Sequence, residues 1–188
     1  MADIEITDEF PGPHETQYNF ARVNAFRLIA VDLPGVDFYC QMVAIPSLRM
    51  QETSGMDTPL NEYPLTGTKV NYGELMVTFL VDEKFYNYRS VHNWLIGITF
   101  PQSHSQFTNL LNTKKKIFSN VKSPEAAIRS DIDLMVLDSM NTPIATYKFR
   151  DAFPTSMEHL PFDVTITDVN YFTVVATFKF SYYEISEA

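Results

Sequence analysis

The chain has a single cysteine in 188 residues, Cys40. That excludes an internal disulfide and any cysteine-based zinc cluster. Glycine is scarce, six in all, and no G-x-G-x-x-G or G-x-x-x-x-G-K-[ST] pattern occurs, so there is no nucleotide cradle. Cations are outnumbered, with 14 Lys+Arg against 23 Asp+Glu and a formal net charge of −9. A duplex-DNA binder needs a positive footprint to displace counterions. Only Lys114, Lys115 and Lys116 form a cluster here. Such an acidic balance favours solubility and repels nucleic acid or an anionic membrane. The apolar runs are too short to cross a bilayer. Met1-Ala2-Asp3-Ile4-Glu5 is acidic where a signal peptide is basic. The expectation is a protein without secretory targeting or membrane binding, held in the cytoplasm where it is made.

Catalytic signatures are also missing. His14, His92, His104 and His159 do not pair at metal-binding spacings. Ser103-His104-Ser105 has no nucleophile elbow beside it. His92 flanks an aromatic stripe and reads as a satisfied boundary residue. Cys40 sits among apolar neighbours, where a buried, inert thiol is the common outcome. Asp131 and Asp133 share a strand face at a spacing a two-acid mechanism could use. They have no partner signal, and a solvated or lumen-facing acidic face is the favoured reading. The expectation is no enzyme, no metal and no cofactor.

What is present is apolar and aromatic: 45% hydrophobic and 14% aromatic residues. One domain of this length buries roughly two thirds of its unfolded surface. Residues 1–20 read as an arm and residues 21–188 as a single β domain. Two apolar runs around Pro34-Gly35, Phe26 to Ile45, predict a hairpin. Residues 47–67 and 102–124 read as long loops, the second with a short strand near Ile117-Phe118. Glu74 to Asp82 alternates with both faces apolar, which predicts a central strand covered on each side. Asp82 then suits a helix N-cap, Phe85, Tyr88, Val91 and Leu95 form a stripe, and Gly97 is the expected stop before Pro101. Further strands are expected in Ile128 to Ser139, Ile144 to Pro154, Phe162 to Thr167 and Tyr171 to Ile185. Phe85, Tyr88, Trp94, Phe178 and Phe180 are the candidate core. Seven or eight strands and one helix define a mainly β fold, an antiparallel sandwich or partly closed barrel with one flanking helix.

Three segments carry a family likeness in order and spacing. They are "NAFRLIAVDLPGVDFYCQMVAIPSL" (Asn24 to Leu48), "LMVTFLVDEKFYNYRSVHNWL" (Leu75 to Leu95) and "FTVVATFKFSYYEI" (Phe172 to Ile185). Together they resemble the tail tube family of contractile-tail bacteriophages, which includes the tail tube protein and the baseplate tube initiator. Type VI secretion tubes are structural relatives of that family.

The resemblance implies two packed sheets flanked by one helix, hexameric rings and stacked rings. Other tail proteins (tube, sheath, baseplate hub) are the implied partners. The lumen would let DNA pass without specific binding, and Asp131 and Asp133 are candidates to face it. The excursion at 47–67 would reach a neighbouring subunit, with Met50, Met56, Leu60 and Tyr63 as candidate contacts. The arm and the 102–124 segment exceed a minimal tube subunit, which sets a specialised position, such as the baseplate-proximal ring or a joint with another tail protein, beside that of a main tube subunit. The implied location is the virion tail, assembled in the host cytoplasm. A reading of a different class remains beside it: a monomeric β-barrel that holds a small apolar ligand.

Overall fold

The computed structural model describes residues 23–30, 39–51, 53–58, 61–117, 128–165 and 167–187. The expected 1–20 arm and the Pro34-Gly35 turn lie outside them.

Eleven strands and two helices are described: β1 Phe26–Ala30, β2 Cys40–Ala44, β3 Leu48–Met50, β4 Thr53–Thr58, β5 Asn61–Leu65, β6 Val70–Tyr72, β7 Leu75–Leu80, α1 Tyr86–Thr99, α2 Ser105–Ile117, β8 Ser130–Leu137, β9 Pro143–Met157, β10 Thr173–Lys179 and β11 Tyr182–Glu187. The architecture is mainly β and antiparallel. The main sheet runs β1-β8-β9-β10-β7-β2, with β11 also paired to β9.

The fifteen-residue strand β9 organises this sheet. Its first part pairs with β8 and β11, and its last part pairs with β10. Between the two parts the inward face changes phase. Phe149 is buried, and the next buried positions are Ala152 and Pro154. Asp151 takes φ 56°, so Arg150-Asp151 inserts an extra residue that bends the strand, as β-bulges do. Pro154 therefore lies inside the strand beside this irregularity and does not end it as expected.

The period-2 patterns place the core. Leu75, Val77 and Phe79 of β7 lie opposite Phe178, Ala176 and Val174 of β10, and all six are buried. Ile132 and Leu134 of β8 add to the same cluster with Leu28, Val91 and Trp94. The other face of β7 is only partly covered, because Met76 is exposed.

Several expected elements differ. β1 and β2 do not pair as a hairpin; β1 pairs with β8 and β2 with β7, at opposite ends of the sheet path. Turn chemistry is local, whereas a strand's partner is decided by what both can bury. The expected strand at Phe162 to Thr167 is absent: the residues described there form a turn, and Val164 is fully exposed. The expected final strand is two, β10 and β11, separated at Phe180-Ser181.

The strand-to-helix junction is built otherwise than its sequence predicts. Asp82 is not the cap; Phe85 holds the N-cap position at φ 57°. The polar work falls to Asn87, which is buried. Its Nδ2 donates to the Leu80 carbonyl at 2.6 Å, and its Oδ1 accepts from the Tyr88 and Asp82 amides at 2.8 and 3.2 Å. Buried donors and acceptors that lose their partner cost the full desolvation penalty. Asn87→Ala should therefore lower stability by about 2–3 kcal/mol in urea denaturation. A loss below about 0.5 kcal/mol would show that water replaces the amide.

The inward positions of α1 are Asn87, Val91, Trp94 and Gly97. Phe85 and Tyr88, expected in the core, are only partly buried, and so is Phe180; Trp94 and Phe178 are fully inside. Gly97 does not stop the helix, which closes at Phe100 in the left-handed region. A Cβ on Gly97 would come within 2.9 Å of the Leu110 side chain, so this glycine lets a second helix approach closely. That helix, α2, occupies Ser105–Ile117 of the expected 102–124 loop, whose last residues, 118–124, lie outside the described ones. Phe107, Leu110, Leu111 and Lys114 recur on one side of it, and Lys114 places its Nζ 4.7 Å from the Trp94 ring centroid. Ile117 ends the helix and forms no strand; Phe118 lies outside the described residues.

Candidate assembly surfaces

Two of the four histidines make ring contacts within the fold. His92 stacks on Tyr88 with ring centroids 6.4 Å apart, and His104 lies among Phe100 and Phe107. Among the described residues no group of three His, Cys, Asp or Glu side chains could hold a metal ion. Burial pushes the Cys40 thiol up to about 11, against a weaker opposing hydrogen bond to the Met42 carbonyl. A thiol so shifted is a poor nucleophile at neutral pH.

Asp131 and Asp133 stand on the face of β8 that turns away from Ile132 and Leu134. Asp131 is committed to the β9 bend. One oxygen accepts from the Arg150 guanidinium at 2.6 Å and the other from the Asp151 amide at 3.1 Å. The contact raises the Arg150 guanidinium further above its usual range, chiefly through this hydrogen bond. Asp131 thus pins the bulge. Asp133 lies in register with Lys148 on β9, and its Oδ1 is buried without a hydrogen-bond partner among the described residues. Glu184 of β11 follows Lys148 in register, giving a cross-strand row of alternating charge.

The excursion expected as a loop at 47–67 is a two-stranded ribbon. β3 pairs with β6, and β4 pairs with β5 beyond them. The pairing is closed at the base by the Gly73 amide on the Ser47 carbonyl at 2.8 Å. In the β3–β6 register Leu48 faces Tyr72 and Met50 faces Val70, which sets these four on one side; Arg49 and Asn71 share the other. Leu48 and Met50 are 58% and 53% exposed. Tyr72 is the exception, with its ring against Phe180 and Tyr183 at the foot of the ribbon. Of the other expected contacts, Met56 falls in β4 and Tyr63 in β5, while Leu60 lies outside the described residues.

A second apolar surface lies where β9 returns to β10. Phe162 is 74% exposed, and Val169 and Tyr171 are also largely open. Beside them is a cavity of about 510 Å³ lined by Tyr39, Leu80, Val81, Phe85, Tyr171 and Phe172, with Asp82 and Glu83 at its edge. Single exposed apolar side chains need no explanation, but contiguous ones mark places where something docks.

The described residues form a β domain that displays apolar surface on a ribbon and beside a pocket. The sequence matches the family described as phage tail tube protein over residues 9–186. The chain belongs to that family. No curated protein of known function matches the sequence.

Solved structures agree on the fold. The tube-terminating cap of the anti-feeding prophage is 14% identical, with a TM-score of 0.60 over 98% of this chain and 100% of that one. A chain of the PVC sheath–tube complex, an extracellular contractile injection system in its extended state, is 14% identical, with a TM-score of 0.54 over 92% of this chain and 94% of its own. A chain of the anti-feeding prophage baseplate, 6-fold symmetrised, is 13% identical, with a TM-score of 0.55 over 91% and 98%.

Proposed function

We propose that the protein is a structural tube subunit that assembles into hexameric rings, and that the rings stack around a lumen in a contractile tail or injection particle. The observation that carries this is the apolar ribbon face at Leu48, Met50 and Val70, which the chain leaves exposed in a family whose members build tubes. Likeness to tube, cap and baseplate proteins of contractile systems supports the same setting. Partners of this kind would be tube, sheath and baseplate proteins. The position would be in the main tube or in a baseplate-proximal or terminal ring.

The outer face of β8, β9 and β11 is the proposed lumen wall. Asp131, Asp133 and Glu184 alternate there with Lys148 and Arg150. A wall of paired charge offers a passing polyanion no cluster of cations to hold it, so DNA would pass without specific binding. No step in this role needs catalysis, and assembly would take place in the host cytoplasm before incorporation into the particle.

Negative-stain microscopy of the purified protein, alone and with co-expressed tail proteins, is the test. Six-fold rings with an open centre are expected, at least in the presence of a template. A persistent monomer retaining a small apolar molecule would instead favour the ligand-barrel reading. The fully buried Phe79, Phe149 and Phe178 already occupy the core such a ligand would need.

A further inference from the structure

The two apolar surfaces lie at opposite ends of the same strands. The ribbon leaves the sheet where β2 ends and β7 begins, beside the Ala44–Met76 pair. The cavity lies where β7 ends and β10 begins, beside the Leu80–Thr173 pair. A subunit with unlike patches at its two ends can make head-to-tail contacts, which build an open stack when the rotation between copies does not close a ring.

Charge is matched in the same sense. The base of the ribbon carries Arg49, exposed on the side opposite Leu48 and Met50, and the exposed Lys69 just before β6. The cavity end carries Asp82 and Glu83 at its edge, and Asp163 and Asp168 on the adjoining loop. Asp163 is held below the usual carboxylate range by hydrogen bonds from Thr165, so it stays charged. Arginine and lysine stems are long enough to bring their charges round the edge of a ribbon whose other face is buried.

We propose that the cavity lined by Tyr39, Leu80, Val81, Phe85, Tyr171 and Phe172 is the socket into which the β3–β6 ribbon of a second copy, in the next ring, inserts its Leu48–Met50–Val70 face, with Arg49 and Lys69 against the acidic rim. This rests on the stacked-ring reading and adds its receiving surface. The contact excludes water from an apolar centre and leaves charged pairs at the edge, the usual anatomy of a specific interface. It also sets polarity, because ribbon meets socket only when rings stack in one direction.

The test uses the full chain under conditions where the unaltered protein forms stacked rings, scored by tube length in electron micrographs. Tyr171→Ala removes an exposed socket wall and should shorten tubes roughly tenfold while single rings persist. Arg49→Glu with Lys69→Glu should do the same, as should Glu83→Lys with Asp168→Lys. Combining the two charge reversals should restore stacking, which a merely misfolded pair would not do. Circular dichroism melting confirms that each variant folds. Unchanged tube length in the folded variants, or a combined variant no better than its parents, overturns the socket. Failure of the unaltered protein to form rings under any template overturns the tube reading itself, so the two failures are separable.

Discussion

Trp94→Ala should lower the unfolding free energy by about 3–5 kcal/mol, the range for removing a buried large aromatic side chain. Trp94 is 3% exposed and ties three parts of the molecule together. Its ring lies 6.2 Å from Phe178 in β10, its Nε1 donates to the Ile128 carbonyl at 2.8 Å, and Lys114 of α2 sits over its face. Alanine opens a cavity at the helix–sheet contact, removes the donor to a part-buried carbonyl and takes away the ring face beside the Lys114 ammonium. The three penalties act together, which puts the expectation in the upper half of the range.

Trp94→Phe separates them. It keeps a ring face and much of the apolar contact, loses the N–H and part of the ring volume, and should cost about 1–2 kcal/mol. Urea unfolding monitored by circular dichroism measures both. A Trp94→Ala cost below about 1 kcal/mol would mean that α1 is not seated as described. Any loss of assembly in that variant reports folding and says nothing about an interface.

Much of the sheet was legible because burial on one face writes itself as period 2. Leu75, Val77 and Phe79, and again Val174, Ala176 and Phe178, are apolar at alternate positions for that reason. Pairing was not legible: Phe26 to Ala30 ends against β8, far along the chain, and nothing local states it. Nor was α2, whose stripe of Phe107, Leu110 and Leu111 is interrupted by Asn, Thr and Lys and rests on a glycine of the other helix. Asn87 is invisible for a different reason. A buried asparagine that holds two backbone segments reads in sequence like any surface asparagine.

The candidate surfaces show the same limit from the other side. Phe162 and Val164 alternate as a strand would, yet they are exposed, because an apolar residue reads the same whether its own fold or a partner covers it. The excursion at 47–67 was recognisable as a segment outside the core. Its turn residues concealed that it is paired backbone. Asp131 and Asp133 were found together, but the bulge that occupies Asp131 depends on Asp151 adopting φ 56°, which no spacing rule anticipates.

Replacing residues 48–72 by Asn-Gly should leave a folded subunit that forms rings and does not stack them. Ser47 and Gly73 already exchange a 2.8 Å backbone hydrogen bond, so a two-residue turn of the type that Asn-Gly favours can close the gap. Among the residues whose burial is described, no core residue lies in the removed stretch. The expected cost to the monomer is about 1–2 kcal/mol, mainly the Tyr72 ring lost from Phe180 and Tyr183. The effect on assembly is far larger, because every copy in a ring loses its ribbon and the losses combine across the whole ring-to-ring contact. Thermal melting reads the first quantity, and micrographs of the templated protein read the second. An unfolded subunit would show that the ribbon braces its own sheet. Tubes of unchanged length would show that rings are joined elsewhere, and that the apolar face of Leu48, Met50 and Val70 serves another partner.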